Sequence, residues 1–133
     1  MSIVEYPFPG STHMEELHYC VFPDKLENDE RVLFHGTLAD DFEKIKRDGF
    51  KSAVQLGNAR GLGSVSYAKQ SSAALSHIRN RHPNDKVIII AVQFDSATTR
   101  RGMVANASDI HVYDGTQPNI VGFCKVPSEY QFF

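Results

Sequence analysis

The hydrophobic pattern is broken over the first thirty positions and resolves into elements from residue 31 onward. Val32, Leu33 and Phe34 form a short apolar run closed by His35, which predicts a strand over residues 31–35 with Gly36 and Thr37 directly after it. Leu38, Phe42 and Ile45 then fall on one helical face. Residues 37–40 resemble a capping arrangement at the start of that helix, and Gly49 suits a left-handed position beyond its end. Gly57, Gly61 and Gly63 mark a loop leading into a strand over residues 64–68. Ser71 and Ser72 are N-cap residue types for a second helix, whose inner face is Ala74, Leu75 and Ile78 and which Pro83 stops.

Residues 86–94 are a continuous apolar run rich in β-branched side chains, the pattern of a strand covered on both faces and therefore the centre of the sheet. Polar residues 95–109 read as a long loop, 110–113 and 119–126 as strands, and 129–133 as a candidate last strand. Before residue 31, Pro7, Pro9, Gly10 and Pro23 interrupt an irregular arm with one candidate strand at 18–22. The arm is too short for a core of its own and is expected to pack on the rest. Strands outnumber helices and the two helices come early, which predicts α+β rather than a doubly wound parallel sheet.

At 133 residues, 41% hydrophobic and 23% charged, the chain has the make-up of one ordinary globular domain. A formal charge of −2 supplies no broad cationic field, so non-specific capture of nucleic acid or acidic membrane is not expected. Arg79, Arg81 and Lys86 read as a solvated helix end. No apolar stretch approaches the roughly 20 residues of a membrane span, and the first residues lack a basic segment followed by an apolar one. With two separated cysteines, Cys20 and Cys124, read as free thiols, the expectation is a cytoplasmic protein. His13, His18, Cys20 and His111 match no common zinc spacing, so no metal is expected. Cys124 in an apolar strand reads as inert packing.

Three blocks carry a resemblance. Phe34-His35-Gly36-Thr37, followed by Ile45 and Gly49-Phe50, is similar to the opening of the poly(ADP-ribose) polymerase-like branch of the ADP-ribosyltransferases. Gly61-Leu62-Gly63-Ser64-Val65-Ser66-Tyr67-Ala68-Lys69-Gln70-Ser71-Ser72 resembles that branch's Gly-x-Gly-(Ile/Val)-Tyr-Phe-Ala-x-x-Ser-Ser segment with one extra residue. A weaker likeness runs from Asn119-Ile120-Val121-Gly122 to Pro127-Ser128-Glu129-Tyr130, so about residues 33–130 are covered.

The resemblance implies a split β-sandwich of two facing antiparallel sheets with flanking helices, and a pocket for NAD as substrate. His35 would anchor a ribose by donating a ring hydrogen bond, and Gly36, with Thr37 beside it, would meet the nicotinamide carboxamide through its main chain. Tyr67 would wall the nicotinamide ring, Ser71 or Ser72 would reach the amide, and His77 stands where the family commonly carries a second stacking tyrosine. On an alternating strand the other arrangement is equally open: Tyr67 faces the core and Ser66 the pocket. Ser71 and Ser72 are also fully explained by capping.

The acid is where the chain departs from the pattern. Counting back from Ile120-Val121 places Pro118 where active members carry glutamate, with Gln117 before it and Asn119 after. Glu129 lies too near the end of the pattern, and no Glu-x-Glu occurs for the arginine-specific branch. A shorter relative that inactivates rifamycin uses an aspartate soon after the central strand, where Asp95 stands here. Asp95 and Gln117 therefore rank ahead of Glu129. The resemblance implies mono-ADP-ribosyl transfer with release of nicotinamide to an acceptor the sequence does not identify, whether protein, nucleic acid or small molecule. Its rival is an inactive module of the same kind that binds NAD, ADP-ribose or a protein partner.

Overall fold

A computed structural model of the chain describes residues 3–52, 54–57, 60, 63–94, 103–105, 108–113 and 115–130. The apolar run becomes β4 (Val87–Gln93), and six of its seven residues are buried. Val87, Ile89 and Ala91 belong to one apolar cluster and Ile88, Ile90 and Val92 to another, because successive side chains of a strand point to opposite faces. The expectation of a central strand covered on both sides is met.

On one side β4 pairs along its length with β2 (Val32–Leu38), and on the other with β7 (Asn119–Val126), both antiparallel. β1 (Val4–Tyr6) adds to β7 in parallel. Beyond β2 come β3 (Val65–Ala68), β6 (Asp109–Val112) and β5 (Met103–Ala105), giving the order β1-β7-β4-β2-β3-β6-β5. This is one mixed sheet of seven strands, and it corrects the expectation of a split sandwich of two facing sheets. The physical reason is a single junction. Phe34 of β2 registers with Ala68 of β3, and that pair carries the sheet across to β3, β6 and β5.

Helices α2 (Ala39–Asp48) and α3 (Ser71–Arg81) pack on opposite faces. Ala74, Leu75 and Ile78 of α3 join Phe34, Ile89 and Ala91, whereas Phe42 of α2 joins Leu33, Ile88 and Ile90. The N-terminal arm, including the short α1 (Asp24–Glu27), packs on the α3 face, where Met14, Val21 and Phe22 are buried.

Several local expectations are corrected. β2 runs on through Gly36 and Thr37 to Leu38, which is itself the N-cap residue of α2 and makes no side-chain cap bond. Residues 18–22 form no strand; His18 and Tyr19 both take positive φ in a turn. Part of the expected loop 95–109 is β5, and Glu129 lies in a turn, while 131–133 are outside the described residues. At α3 the N-cap position is Gln70, so Ser71 is the first helical residue rather than the cap. The cap comes from α1. Glu27 accepts the Ser71 N–H at 3.2 Å, the Ser71 hydroxyl hydrogen and the Phe22 N–H.

Candidate functional site

β2 and β3 register at Phe34 and Ala68 alone, so at His35 and Gly36 the two strands part. There a side chain replaces the ladder: the Nδ1 of His35 lies 2.9 Å from the carbonyl oxygen of Ser66. A carbonyl only accepts, so Nδ1 carries the hydrogen. Burial, and secondarily the nearby His77, hold the imidazole below its ordinary pKa, and the Ser66 bond offsets only part of this. The ring is therefore neutral near pH 7, and its Nε2 is a hydrogen-bond acceptor. This reverses the expected polarity of His35, which was to donate to a ribose hydroxyl.

The parting opens a hollow of about 350 Å³ on the α3 face. His35, Gly36 and Ser66 line it from the sheet, Ser76, His77 and Asn80 from α3, and Ser108 and Asp109 from the start of β6. His77 and Asn80 are exposed, so the hollow meets solvent along the helix. Asp109 is tied into the wall. Ser66 Oγ donates to its carboxylate at 3.4 Å, the same oxygen lies 3.3 Å from His111 Nε2, and His111 Nδ1 lies 3.1 Å from Ser64 Oγ. His35 also borders a second hollow of about 310 Å³ with Thr37, Asp41, Lys44, Asp48 and Lys51. His35 thus borders both hollows.

The structure brings three of the sequence-derived candidates together in the first hollow: His35, Gly36 and His77. Gly36 has an architectural reason to be glycine, since a Cβ there would lie 2.8 Å from Ile78 Cβ and 3.0 Å from the Ala74 carbonyl oxygen. The space is filled by α3. Thr37 is buried and borders the second hollow. Tyr67 is fully buried, with its ring against Phe50, Phe94 and His35. Of the two open arrangements for β3, the one with Ser66 toward the hollow and Tyr67 toward the core is therefore observed. Ser71 is fully buried in the cap, where its Oγ also accepts the Val21 N–H at 2.9 Å. Half-buried Ser72 lies near Cys20, outside both hollows.

Gln117 is not in either hollow; its amide accepts the Phe50 N–H at 2.7 Å and donates to the Phe50 carbonyl at 2.8 Å. Asp95 lies outside the described residues. Glu129 borders a separate groove of about 780 Å³ between α2 and the end of β7. Burial pushes the Cys124 thiol up to about 12, in keeping with a packing role.

Ser76, Asn80, Ser108 and Asp109 escaped the sequence reading. The signal for two of them was present: Ala73, Ser76, His77 and Asn80 share one helical face at spacings of three and four. The polar–apolar alternation Asp109-Ile110-His111-Val112 likewise sets Asp109 and His111 opposite Ala68 and Ser66. No helix of the described residues is long and apolar enough to cross a membrane. No protein-family model, no curated protein and no solved structure matches the chain.

Proposed function

We propose that the hollow at His35 binds NAD and that the protein is an NAD-dependent mono-ADP-ribosyltransferase. One observation carries this reading. A half-buried imidazole, held below its ordinary pKa and oriented by the Ser66 carbonyl, belongs to a residue that borders a hollow lined with hydroxyl, amide and imidazole groups. Such a wall suits a sugar, whose hydroxyls donate and accept at short range. In the proposed reaction the bond between the nicotinamide nitrogen and the ribose breaks, neutral nicotinamide leaves, and an acceptor nucleophile takes the ADP-ribosyl group and loses its proton.

His35 accepts from a ribose hydroxyl in this scheme, and His77 borders the ring. The carboxylate beside the developing positive charge is Asp109, in place of Asp95 or Gln117, because Asp109 is the one acidic side chain among the described residues lining the hollow. Support comes from the site and not from the sheet, which departs from the architecture the resemblance implies.

A second reading is an NAD-binding module without turnover. It is favoured by Tyr67, whose enclosure in the core leaves Ser66 as the group that β3 presents to the hollow. Thermal melts with NAD, followed by assays of nicotinamide release from labelled NAD in lysate, separate the two. A ligand-dependent rise in melting temperature that His35→Ala removes, together with released nicotinamide that Asp109→Asn reduces about a hundredfold, is the expected result. A shift without release selects the module. No shift at millimolar NAD refutes both.

A further inference from the structure

Gln117 lies next to Pro118, the position where the resemblance places an acid, and its side chain is fully committed elsewhere. Its Oε1 accepts the Phe50 N–H at 2.7 Å, and its Nε2 donates to the Phe50 carbonyl at 2.8 Å and to the Gly115 carbonyl at 3.2 Å. The amide therefore pairs with the Phe50 main chain as a neighbouring strand would, across 67 positions of sequence.

The preceding residue is shaped for this contact. Gly49 has φ +84, and a Cβ on it would lie 2.8 Å from Gln117 Oε1, so glycine is required there both by conformation and by the approach of the amide. Beyond the clamped backbone, the Phe50 ring is buried and meets two rings. It stands edge-on to His35 at 5.2 Å and 77°, and edge-on to Tyr67 at 5.4 Å and 67°.

We propose that Gln117 is a positioning residue: by clamping the main chain of Phe50 it seats the Phe50 ring against His35 and so holds that imidazole in one orientation. The inference deepens the NAD reading and rests on it for its functional meaning, while its physical content concerns the ligand-free protein. It also accounts for an amide at this position. A carboxylate can accept the Phe50 N–H but has no hydrogen for the Phe50 carbonyl, so glutamate would set two oxygens against each other. A residue standing in for an acid behaves oppositely, since restoring the carboxylate would help the reaction.

The test uses the full chain with ¹⁵N-labelled histidine, comparing wild type, Gln117→Glu, Gln117→Leu and Phe50→Leu without ligand and then with NAD. His35 is assigned by its loss in His35→Gln. The wild-type spectrum is expected to show Nδ1 protonated and Nε2 bare at pH 7. In the Gln117 and Phe50 variants the His35 midpoint should rise by roughly half a unit to one unit as the ring loses the Phe50 contact and becomes better solvated, with NAD affinity reduced about tenfold. A Lys substitution at Arg79 controls for general loosening and should lower the melting temperature without moving His35. If Gln117→Glu is not folded, Gln117→Leu decides.

An unchanged His35 spectrum in a folded Gln117 variant overturns the inference. So does tighter NAD binding or faster turnover in Gln117→Glu. If wild type binds no NAD, the proposed function fails, but the ligand-free spectra still decide whether Gln117 positions His35.

Discussion

The Ser66 carbonyl oxygen accepts the Nδ1 hydrogen of His35 at 2.9 Å, at the point where the two strands that carry these residues cease to register. The bond closes a gap that main-chain pairing leaves open, and it fixes which ring nitrogen is bare. Because burial holds His35 below its ordinary pKa, the unfolded chain takes up a proton at this residue first as the pH falls. The contribution of neutral His35 is fully present above the ordinary value of about 6.5. It is lost from there down to the lowered folded value. Urea titrations of wild type and His35→Gln between pH 8 and pH 4.5 are expected to diverge in that window, with wild type showing the steeper loss. Parallel curves would mean that His35 titrates normally.

Tyr67 has a buried hydroxyl with no hydrogen-bond partner among the described residues, and burial raises its pKa strongly. An unmade bond of this kind is destabilising, whereas the ring packs well on Phe50 and Phe94. Tyr67→Phe is therefore expected to leave stability unchanged or to raise it by about 1 kcal/mol, with NAD binding retained. Tyr67→Ala should cost about 3–5 kcal/mol. A loss of melting temperature in Tyr67→Phe would show that the hydroxyl makes a hydrogen bond.

Gly36→Ala should cost about 1–3 kcal/mol by overpacking, because the new methyl meets α3 at Ile78 Cβ and the Ala74 carbonyl. Ile78→Ala is not expected to rescue it, since the 2.8 Å contact is to Cβ itself, which alanine keeps. Denaturation of both single variants and the double variant measures this. Recovery in the double variant would show that the clash lies further out on the side chain.

Arg79 is 2% exposed, and its guanidinium donates to the carbonyls of His82, Pro83, Asp85 and Pro127. It stitches the end of α3 to the chain before β4 and the chain after β7. Arg79→Ala leaves these carbonyls without their donor and is expected to cost about 3 kcal/mol. Arg79→Lys, a single ammonium without the planar fork, should recover less than half of it. Chemical denaturation checks both, and an Arg79→Ala protein as stable as wild type would remove the staple from the account.

The cap on α3 gives a further test. Glu27 accepts from the Ser71 N–H and hydroxyl and from the Phe22 N–H, so Glu27→Ala should cost about 2 kcal/mol by leaving the helix start bare. Gln70→Ala, which removes no side-chain cap bond, should be near neutral. Thermal melts of the two variants distinguish a cap supplied from α1 from one supplied locally.

Much of this molecule was legible in local pattern. The β-branched run at Val87–Gln93 had to be a covered strand because it offers apolar side chains to both faces. Phe42 and Ile45 recur at the helical period within α2, whereas Leu38, expected on their face, ends β2 and packs on the α3 side. His35, Gly36 and His77 were named as site candidates by the resemblance and not by local pattern, and all three line one hollow. Alternation in β3 established that Ser66 and Tyr67 face opposite ways, but not which of them met the helix.

That choice belongs to tertiary structure, as does everything joined across distance. The pairing of Phe34 with Ala68 makes one sheet where two were expected. Glu27 caps a helix 44 positions away, and Gln117 commits to Phe50 an amide that the resemblance had ranked for chemistry. Periodicity states which side chains share a face, because it follows from backbone geometry within a few residues. It carries no information about which remote donor meets which acceptor, since that is decided only when packing and hydrogen bonding are satisfied over the whole chain at once.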